Sequence, residues 1–370
     1  MTTVNVAHLI HGLGLGGAQQ VIKFIVQERS DAFEHRVYSC HGGVFQEQIE
    51  AVGGTVRILP RRIPKFDPLW VRAMRRAIQE DGVDVVHGHL FGDTLHGYFA
   101  AKKAGRLPMV MTLHNSTDAR TGLQLKGYKF LIGADTVSVA CAEFVRTSFC
   151  RTMGPVAEQV RTISNGISFD DDGPRAARDE LTELGLRPDG FVFTTIGRME
   201  EQKAYHLLLD AFRALADSTD VDVQLLMFGD GSLRERLEAQ TGALKLRDRV
   251  VFAGFRKDIT RWLPALDCVV FSSIFEGLPI ALLEAMATRR AVVATEVGGM
   301  PGALVNDQEA ILVPPRDVPA LTAALKRVAE DPEVARRLGA GARARFEKEF
   351  TARQMVRRYE GLYREVTASR

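Results

Sequence analysis

Val4-Asn5-Val6-Ala7-His8-Leu9-Ile10 runs directly into His11-Gly12-Leu13-Gly14-Leu15-Gly16-Gly17-Ala18. The first run is short, apolar and β-rich. The second is a glycine turn. Behind it Val21, Ile22, Ile25 and Val26 fall at helical spacing. Strand, glycine turn and helix make the first unit of a parallel α/β sheet. Glycines at the turn let a ligand approach the backbone, and the helix N-terminus offers free N–H groups and partial positive charge, so a phosphate is its natural guest. A dinucleotide-binding oxidoreductase would also need an acidic residue ending the second strand, to hold ribose hydroxyls. Here that strand ends Tyr38-Ser39-Cys40-His41-Gly42, without a carboxylate.

The same alternation continues outward. In the first half, strands are expected at Val4–Ile10, Arg36–Ser39, Thr55–Leu59, Val83–His87, Met109–Leu113, Thr136–Ala140 and Val160–Ile163. The second half repeats the scheme at Phe191–Ile196, Val223–Phe228, Val250–Ala253, Cys268–Phe271, Ala291–Ala294 and Ala310–Val313. Strands alternating with helices mean parallel sheets covered on both faces, and two such series mean two doubly wound domains. The join is placed near Ser164–Pro174, where an Asn-Gly turn precedes an acidic linker. Met355, Val356, Tyr359, Leu362, Tyr363 and Val366 form one helical stripe over Ala352–Val366. The expected domains are residues 1–168 with 352–370, and residues 169–351.

The chain has 370 residues, 46% apolar and 25% charged, the composition of an ordinary soluble protein. No apolar run approaches the ~18 residues of a membrane span, and no signal-peptide pattern opens the chain, so a cytoplasmic location is expected. Cys40, Cys141, Cys150 and Cys268 show no C-x-x-C spacing and read as buried thiols. The net charge of +2 divides unequally, +5 over residues 1–165 and −3 over the rest. Neither part is basic enough for a nucleic-acid binder. Arg61, Arg62, Lys65, Arg72, Arg75 and Arg76 surround Trp70, which shares a helical stripe with Met74 and Ala77. This reads either as a solvated basic face or as a contact with an anionic membrane surface. His87, His89 and His114 lack a local third protein ligand and read as polar cleft residues, not a metal site. Asp170-Asp171-Asp172 reads as solvated turn carboxylates.

The second half carries the chemistry. Gly197-Arg198 ends one strand and Lys203 follows on the same loop. Two cations there suit a diphosphate, Arg198 by bidentate contact and Lys203 as a point charge. Phe275-Glu276-Gly277-Leu278-Pro279 opens a helix that carries Glu284. With Pro279 at the first helical position, Glu276 stands in the loop and Glu284 is expected two turns into the helix, at most ~12 Å away along the axis. Two carboxylates so spaced suit the two sugars of one nucleotide-sugar, with the Gly277 and Leu278 N–H groups facing the ligand. Gly229-Asp230-Gly231 and Gly298-Gly299 read as ordinary turns.

Gly14-x-Gly16-Gly17, Asn165-Gly166, Gly197-Arg198-x4-Lys203 and Glu276-x7-Glu284 together resemble the retaining GT-B glycosyltransferases of family four, over nearly the whole chain. The resemblance implies two facing Rossmann-like α/β domains with an interdomain cleft. It implies a donor nucleotide on the second domain, Glu284 on the ribose, Glu276 on the donor sugar, and Arg198 and Lys203 on the diphosphate. It further implies that Gly14, Gly16 and Gly17 approach the phosphates, that Asn165 and Gly197 belong to the donor site, and that His114 lies beside the donor sugar. The final helix would cross back to the first domain. Two positions depart from the family pattern: Ala204 stands where glycine is common after the lysine, and Ser168 where aspartate is common after Asn-Gly.

The expected activity is metal-independent transfer of a sugar from UDP-sugar, or GDP-sugar, to a saccharide or lipid-linked acceptor, in surface polysaccharide or glycolipid synthesis. No cofactor is expected. The partners are the nucleotide-sugar, the acceptor and an anionic membrane face. A UDP-sugar epimerase on the same fold and a non-catalytic nucleotide-sugar binder are the alternatives.

Overall fold

The computed structural model describes residues 3–14, 16–63, 66–117, 121–173 and 175–369. Lys65 and Pro174 lie outside the described residues, as does Leu15 of the glycine turn. The chain divides into two compact units: Met1–Ser168 with Phe350–Arg370, and Phe169–Glu349.

The first unit is built on seven strands: β1 Val4–Gly12, β2 Phe33–His41, β3 Thr55–Ile58, β4 Val85–Gly88, β5 Met109–Leu113, β6 Thr136–Ala140 and β7 Arg161–Thr162. They pair in the order β3-β2-β1-β4-β5-β6-β7, all parallel. The chain order reverses between β1 and β4, where His8 lies opposite His87. Helix Gly17–Gln27 buries Val21, Ile22, Ile25 and Val26, the residues whose spacing announced it.

The second unit carries β8 Phe191–Ile196, β9 Val223–Phe228, β10 Val250–Gly254, β11 Cys268–Phe271, β12 Ala291–Thr295 and β13 Ile311–Val313. Their order is β10-β9-β8-β11-β12-β13, again all parallel, with the reversal between β8 and β11. All six residues of β9 are buried, as a strand covered on both faces requires. The core gathers Phe193, Leu225, Met227, Val270 and Val293 from the sheet against Leu208 and Phe212 of helix Tyr205–Ser218.

The chain rejoins the first unit at Phe350, two residues before the expected return. The Ile167 N–H donates to the Phe350 carbonyl and the Ala352 N–H to that of Ile167. A side chain on Gly166 would lie 2.4 Å from the Thr351 oxygen, so this Asn-Gly glycine serves the crossing of two chain segments. Helix Ala352–Ala368 starts from a Thr351–Gln354 capping box and buries Tyr359 and Tyr363. Its Glu360 accepts from the backbone and hydroxyl of Ser30 at 2.7 and 3.0 Å. Ser168 donates its hydroxyl to Glu28 at 2.8 Å. An aspartate there would meet that carboxylate as a like charge.

Asp171 stands in an exposed turn as expected, and Arg343 adds an ion pair to both its oxygens at 3.0 and 2.6 Å. One expectation is corrected. Trp70 does not face outward. Helix Pro68–Glu80 starts from an Asp67 cap and turns Trp70, Met74 and Ala77 into the core. The Trp70 indole N–H donates to the Leu59 carbonyl at 2.7 Å, and Arg61 lies over the ring. The apolar stripe that suggested membrane contact is therefore the packing face. Ile63, Phe66 and Leu69 are the exposed apolar residues beside it.

Candidate functional site

In open parallel sheets ligands bind where the strand order reverses, beyond the carboxyl ends of the strands. In the second unit, the loops leaving β8 and β11 flank that point. The β8 loop carries Gly197 and exposed Arg198, makes a short 3-10 turn over Glu201–Lys203 and enters helix Tyr205–Ser218. The β11 loop carries Ser272 to Pro279 and enters helix Ile280–Ala287. Pro279 stands at the N-cap and not at the first helical position, and Glu284, five residues on, lies little more than one turn in, not the two turns expected.

The two loops meet through charge. Lys203 Nζ donates to Glu276 Oε1 at 2.6 Å, with the side chains only 15% and 7% exposed. Ser273 Oγ donates to the same oxygen at 2.7 Å, and Gln202 Nε2 to the other at 3.3 Å. Ser272 Oγ donates to the Lys203 carbonyl, and the Ile274 N–H to that of Gln202. The sequence reading treated Lys203 and Glu276 as separate contacts, and the structure joins them in one buried pair. An ammonium has three N–H donors, so one bond to Glu276 leaves donors for an oxyanion. Ser273 and Gln202 were missed because a lone serine and glutamine in a loop carry no spacing signal.

The turn glycines have a purpose the sequence did not reveal. A side chain on Gly298, at φ +59°, would lie 1.9 Å from the Glu276 carbonyl. The Gly299 N–H donates to the Gly277 carbonyl at 2.8 Å, and Leu278 is buried. A side chain on Gly197 would lie 2.9 Å from Lys203 Cε. Ala204 adopts φ +49°, ψ +37°, a left-handed conformation that glycine takes without steric cost. That conformation is a physical reason for glycine at this position.

In the first unit the glycine turn sits at the β1/β4 reversal. Added side chains on Gly12 and Gly14 would meet no atom within 4 Å, so packing within the chain does not demand glycine there. Gly16 precedes helix Gly17–Gln27, and Gln19 ties the turn back to the Gly12 carbonyl at 2.8 Å. Asn165 follows β7. Its N–H donates to the Cys141 carbonyl, and its side-chain oxygen is buried without a hydrogen-bond partner. His114 follows β5 and contacts His89 Nδ1 through Nε2 at 3.2 Å.

Among the described residues, two side-chain groups come close enough to share a cation: His8 with His87 and His89, and His11 with Cys40 and Asp93. In the first group every ring nitrogen has a hydrogen-bond partner. His87 meets Tyr363 and Thr112, His8 meets His35 and His89, and His89 also meets His114. In the second, burial pushes the Cys40 thiol up to about 12 and the Asp93 carboxyl up to about 7. Cys40, Cys141 and Cys268 are buried free thiols, and Cys150 is half-buried.

Two doubly wound parallel units, the second with cations and carboxylates at its strand reversal, are the parts of a GT-B glycosyltransferase. The chain belongs to the family-four glycosyltransferases. Its residues 15–171 match the family described as Glycosyltransferase Family 4, and residues 176–345 match Glycosyl transferases group 1. It is 27% identical over 270 residues to UDP-Gal:alpha-D-GlcNAc-diphosphoundecaprenol alpha-1,3-galactosyltransferase of Escherichia coli, covering 70% of each chain. It is 26% identical over 386 residues to alpha-D-kanosaminyltransferase of Streptomyces kanamyceticus, covering 94% of this chain and 99% of that one. Anabaena HepE in complex with UDP superposes with a TM-score of 0.85 at 22% identity, over 98% of this chain and 100% of that one. Among the described residues, no helix is long and apolar enough to cross a membrane.

Proposed function

We propose that the chain transfers a sugar from a UDP-sugar to a saccharide or lipid-linked acceptor, with retention of configuration and without a metal. The carrying observation is the Lys203–Glu276 pair beside Arg198 at the β8/β11 reversal. Breaking a glycosyl–phosphate bond puts negative charge on the leaving diphosphate. Arg198 and the remaining Lys203 donors stabilise that charge and take the place of a metal. Glu276 accepts from hydroxyls of the donor sugar and Glu284 from those of the ribose. Gly197, Gly277 and Leu278 shape the pocket. Gly14, Gly16 and Gly17 take a phosphate-facing role, Asn165 a donor-site role, and His114 the contact to the donor sugar. The epimerase reading is set aside, because both matching families are transferases.

The acceptor reading draws on the first unit. The name of the Escherichia coli relative specifies a lipid-diphosphate acceptor. Here Ile63, Phe66 and Leu69 are exposed next to the exposed cations Arg62 and Arg72. That combination suits the inner face of an anionic membrane, with each cation contributing ~1 kcal/mol at low salt.

A thermal-shift panel of UDP, GDP, ADP and their sugars, run in excess chelator, tests the donor. At 100 times its dissociation constant a true ligand stabilises by ~2.7 kcal/mol. UDP and a UDP-sugar are expected to raise Tm, with sugar transfer continuing in chelator. A shift with GDP alone would change the base. No shift with any nucleotide would remove the donor reading, and binding without turnover would favour a non-catalytic binder.

A further inference from the structure

His11 stands near the end of β1, Cys40 near the end of β2, and Asp93 in the first turn of helix Phe91–Lys103. β1 and β2 are parallel neighbours, so their last residues share one edge of the sheet, beside the glycine turn. The three side chains converge there. One ligand atom from each lies within 4.8 Å of the other two. His11 Nδ1 and Asp93 Oδ1 are 3.9 Å apart, too far for a hydrogen bond. Asp93 is buried, yet among the described residues no side-chain hydrogen bond reaches either of its oxygens. A carboxyl in that position is costly to the fold on its own account.

The three groups together select a class of ion. Magnesium and calcium take oxygen ligands, whereas zinc takes sulfur, nitrogen and oxygen. Ligand atoms bound at ~2.0–2.3 Å to one tetrahedral zinc lie roughly 3.3–3.6 Å from each other. The 3.9 Å gap is close to that spacing, and the His11 side chain is 48% exposed, so its ring has room to close the rest. Charge balances as well. Burial raises both the Cys40 thiol and the Asp93 carboxyl, and each gives up its proton to solvent as the metal arrives. Burial, Arg61 and His41 lower the basicity of the His11 ring, which keeps it neutral with a lone pair to offer. Thiolate, carboxylate and neutral imidazole then cancel the two charges of the ion. The Arg61 guanidinium opposes a bare cation here but meets no net charge in the loaded site. Its backbone N–H donates to the Cys40 sulfur, a contact that supports a thiolate ligand. His41 lies edge-on against the His11 ring, with centroids 5.4 Å apart, and braces it.

We propose that His11, Cys40 and Asp93 form a zinc site at the foot of the glycine turn, with three protein ligands and a fourth position for water. The ion ties the ends of β1 and β2 to the start of helix Phe91–Lys103, one residue ahead of Gly12. The site belongs to the first unit and is independent of the reaction proposed above, which needs no metal.

The test uses the full chain, freed of metal with chelator and desalted. Zinc chloride is titrated in by calorimetry, and cobalt(II) is titrated in and followed by absorption. One zinc per chain is expected, with no heat from magnesium. Cobalt should give the near-ultraviolet band of a sulfur–metal bond, and Cys40→Ser should abolish it. Cys40→Ser, His11→Ala and Asp93→Asn should each weaken zinc binding by at least roughly tenfold, the least that disturbing a metal site's surroundings costs. Cys150→Ser, which alters a half-buried thiol of the same unit, should change neither readout. Melts in chelator establish that each variant is folded, and His11→Ala alters an exposed side chain, so its result stands even where a buried variant fails. A cobalt band that persists in Cys40→Ser, or zinc affinity unchanged in His11→Ala, would overturn the proposal. Zinc held by His8, His87 and His89 instead would survive all three ligand substitutions and would overturn it equally, as would the absence of zinc binding.

Discussion

Lys203→Ala is expected to cost the second unit stability as well as turnover, and the buried pair sets the size of the loss. The ammonium and carboxylate are 2.6 Å apart and largely shielded from water. Removing one partner of a buried pair costs roughly 3–5 kcal/mol, mostly through the charge left behind. Glu276 would keep two donors, Ser273 and Gln202, which places the loss at the low end, about 3 kcal/mol. For a unit of this size each kcal/mol moves Tm by about 2–4 °C, so a drop of about 6–12 °C is expected. Glu276→Gln removes the stranded charge. The double variant Lys203→Ala with Glu276→Gln should therefore recover about 2 kcal/mol over Lys203→Ala, a coupling within the range for contacting residues. Turnover should stay low in both, because the diphosphate has lost a cation in each and the sugar has also lost a carboxylate in the double variant. Calorimetric melts with turnover on the same samples make the comparison. A double variant no more stable than Lys203→Ala would refute the buried-pair account.

Three further outcomes are expected. Ala204→Gly relieves a left-handed alanine and should stabilise by up to about 1 kcal/mol, read as a raised denaturation midpoint at unchanged slope. The Asp93 carboxyl is buried, and burial pushes it up to about 7 against the opposing pull of Arg61. The folded state thus holds a proton that the unfolded chain releases near pH 4, and stability falls as pH rises from about 4 to about 7. Asp93→Asn should raise unfolding free energy at pH 8 by up to roughly 4 kcal/mol, with the gain vanishing toward pH 4; a pH-independent difference would contradict this. Liposome co-sedimentation should show salt-sensitive binding to anionic but not neutral vesicles, weakened by Leu69→Ser with Arg72→Ser and unaffected by substitutions confined to the buried stripe.

The sheets were legible because strands covered on both faces read as continuous apolar runs. The strands expected at Met109–Leu113, Thr136–Ala140, Phe191–Ile196, Val223–Phe228 and Cys268–Phe271 lie at those residues. Strand ends shifted where polar residues continue the pairing, as Glu34 and His35 do in β2. The direction in which Trp70 faces was not legible, because an apolar stripe flanked by cations describes both a packing face and a membrane face. Arg198, Lys203 and Glu276 stood out as candidates from residue type and loop position, and Glu284 from its place in the helix that follows. Their mutual arrangement was not legible, since the 2.6 Å pair joins residues 73 apart in sequence. The contacts among His8, His35, His89 and His114 were hidden for the same reason. His87-Gly88-His89 was conspicuous, but His8 and His35 lie on strands whose alternation marks them only as inward-facing.

Calorimetric titration of UDP into the unsubstituted protein, Arg198→Ala and Glu284→Ala, in excess chelator, tests the central claim most directly. The account predicts one site per chain, with affinity at least roughly tenfold weaker in each variant, the loss expected from removing a charge-assisted hydrogen bond of about 1.5–3 kcal/mol. Equal affinity in all three proteins, or binding that requires a divalent metal, would contradict it.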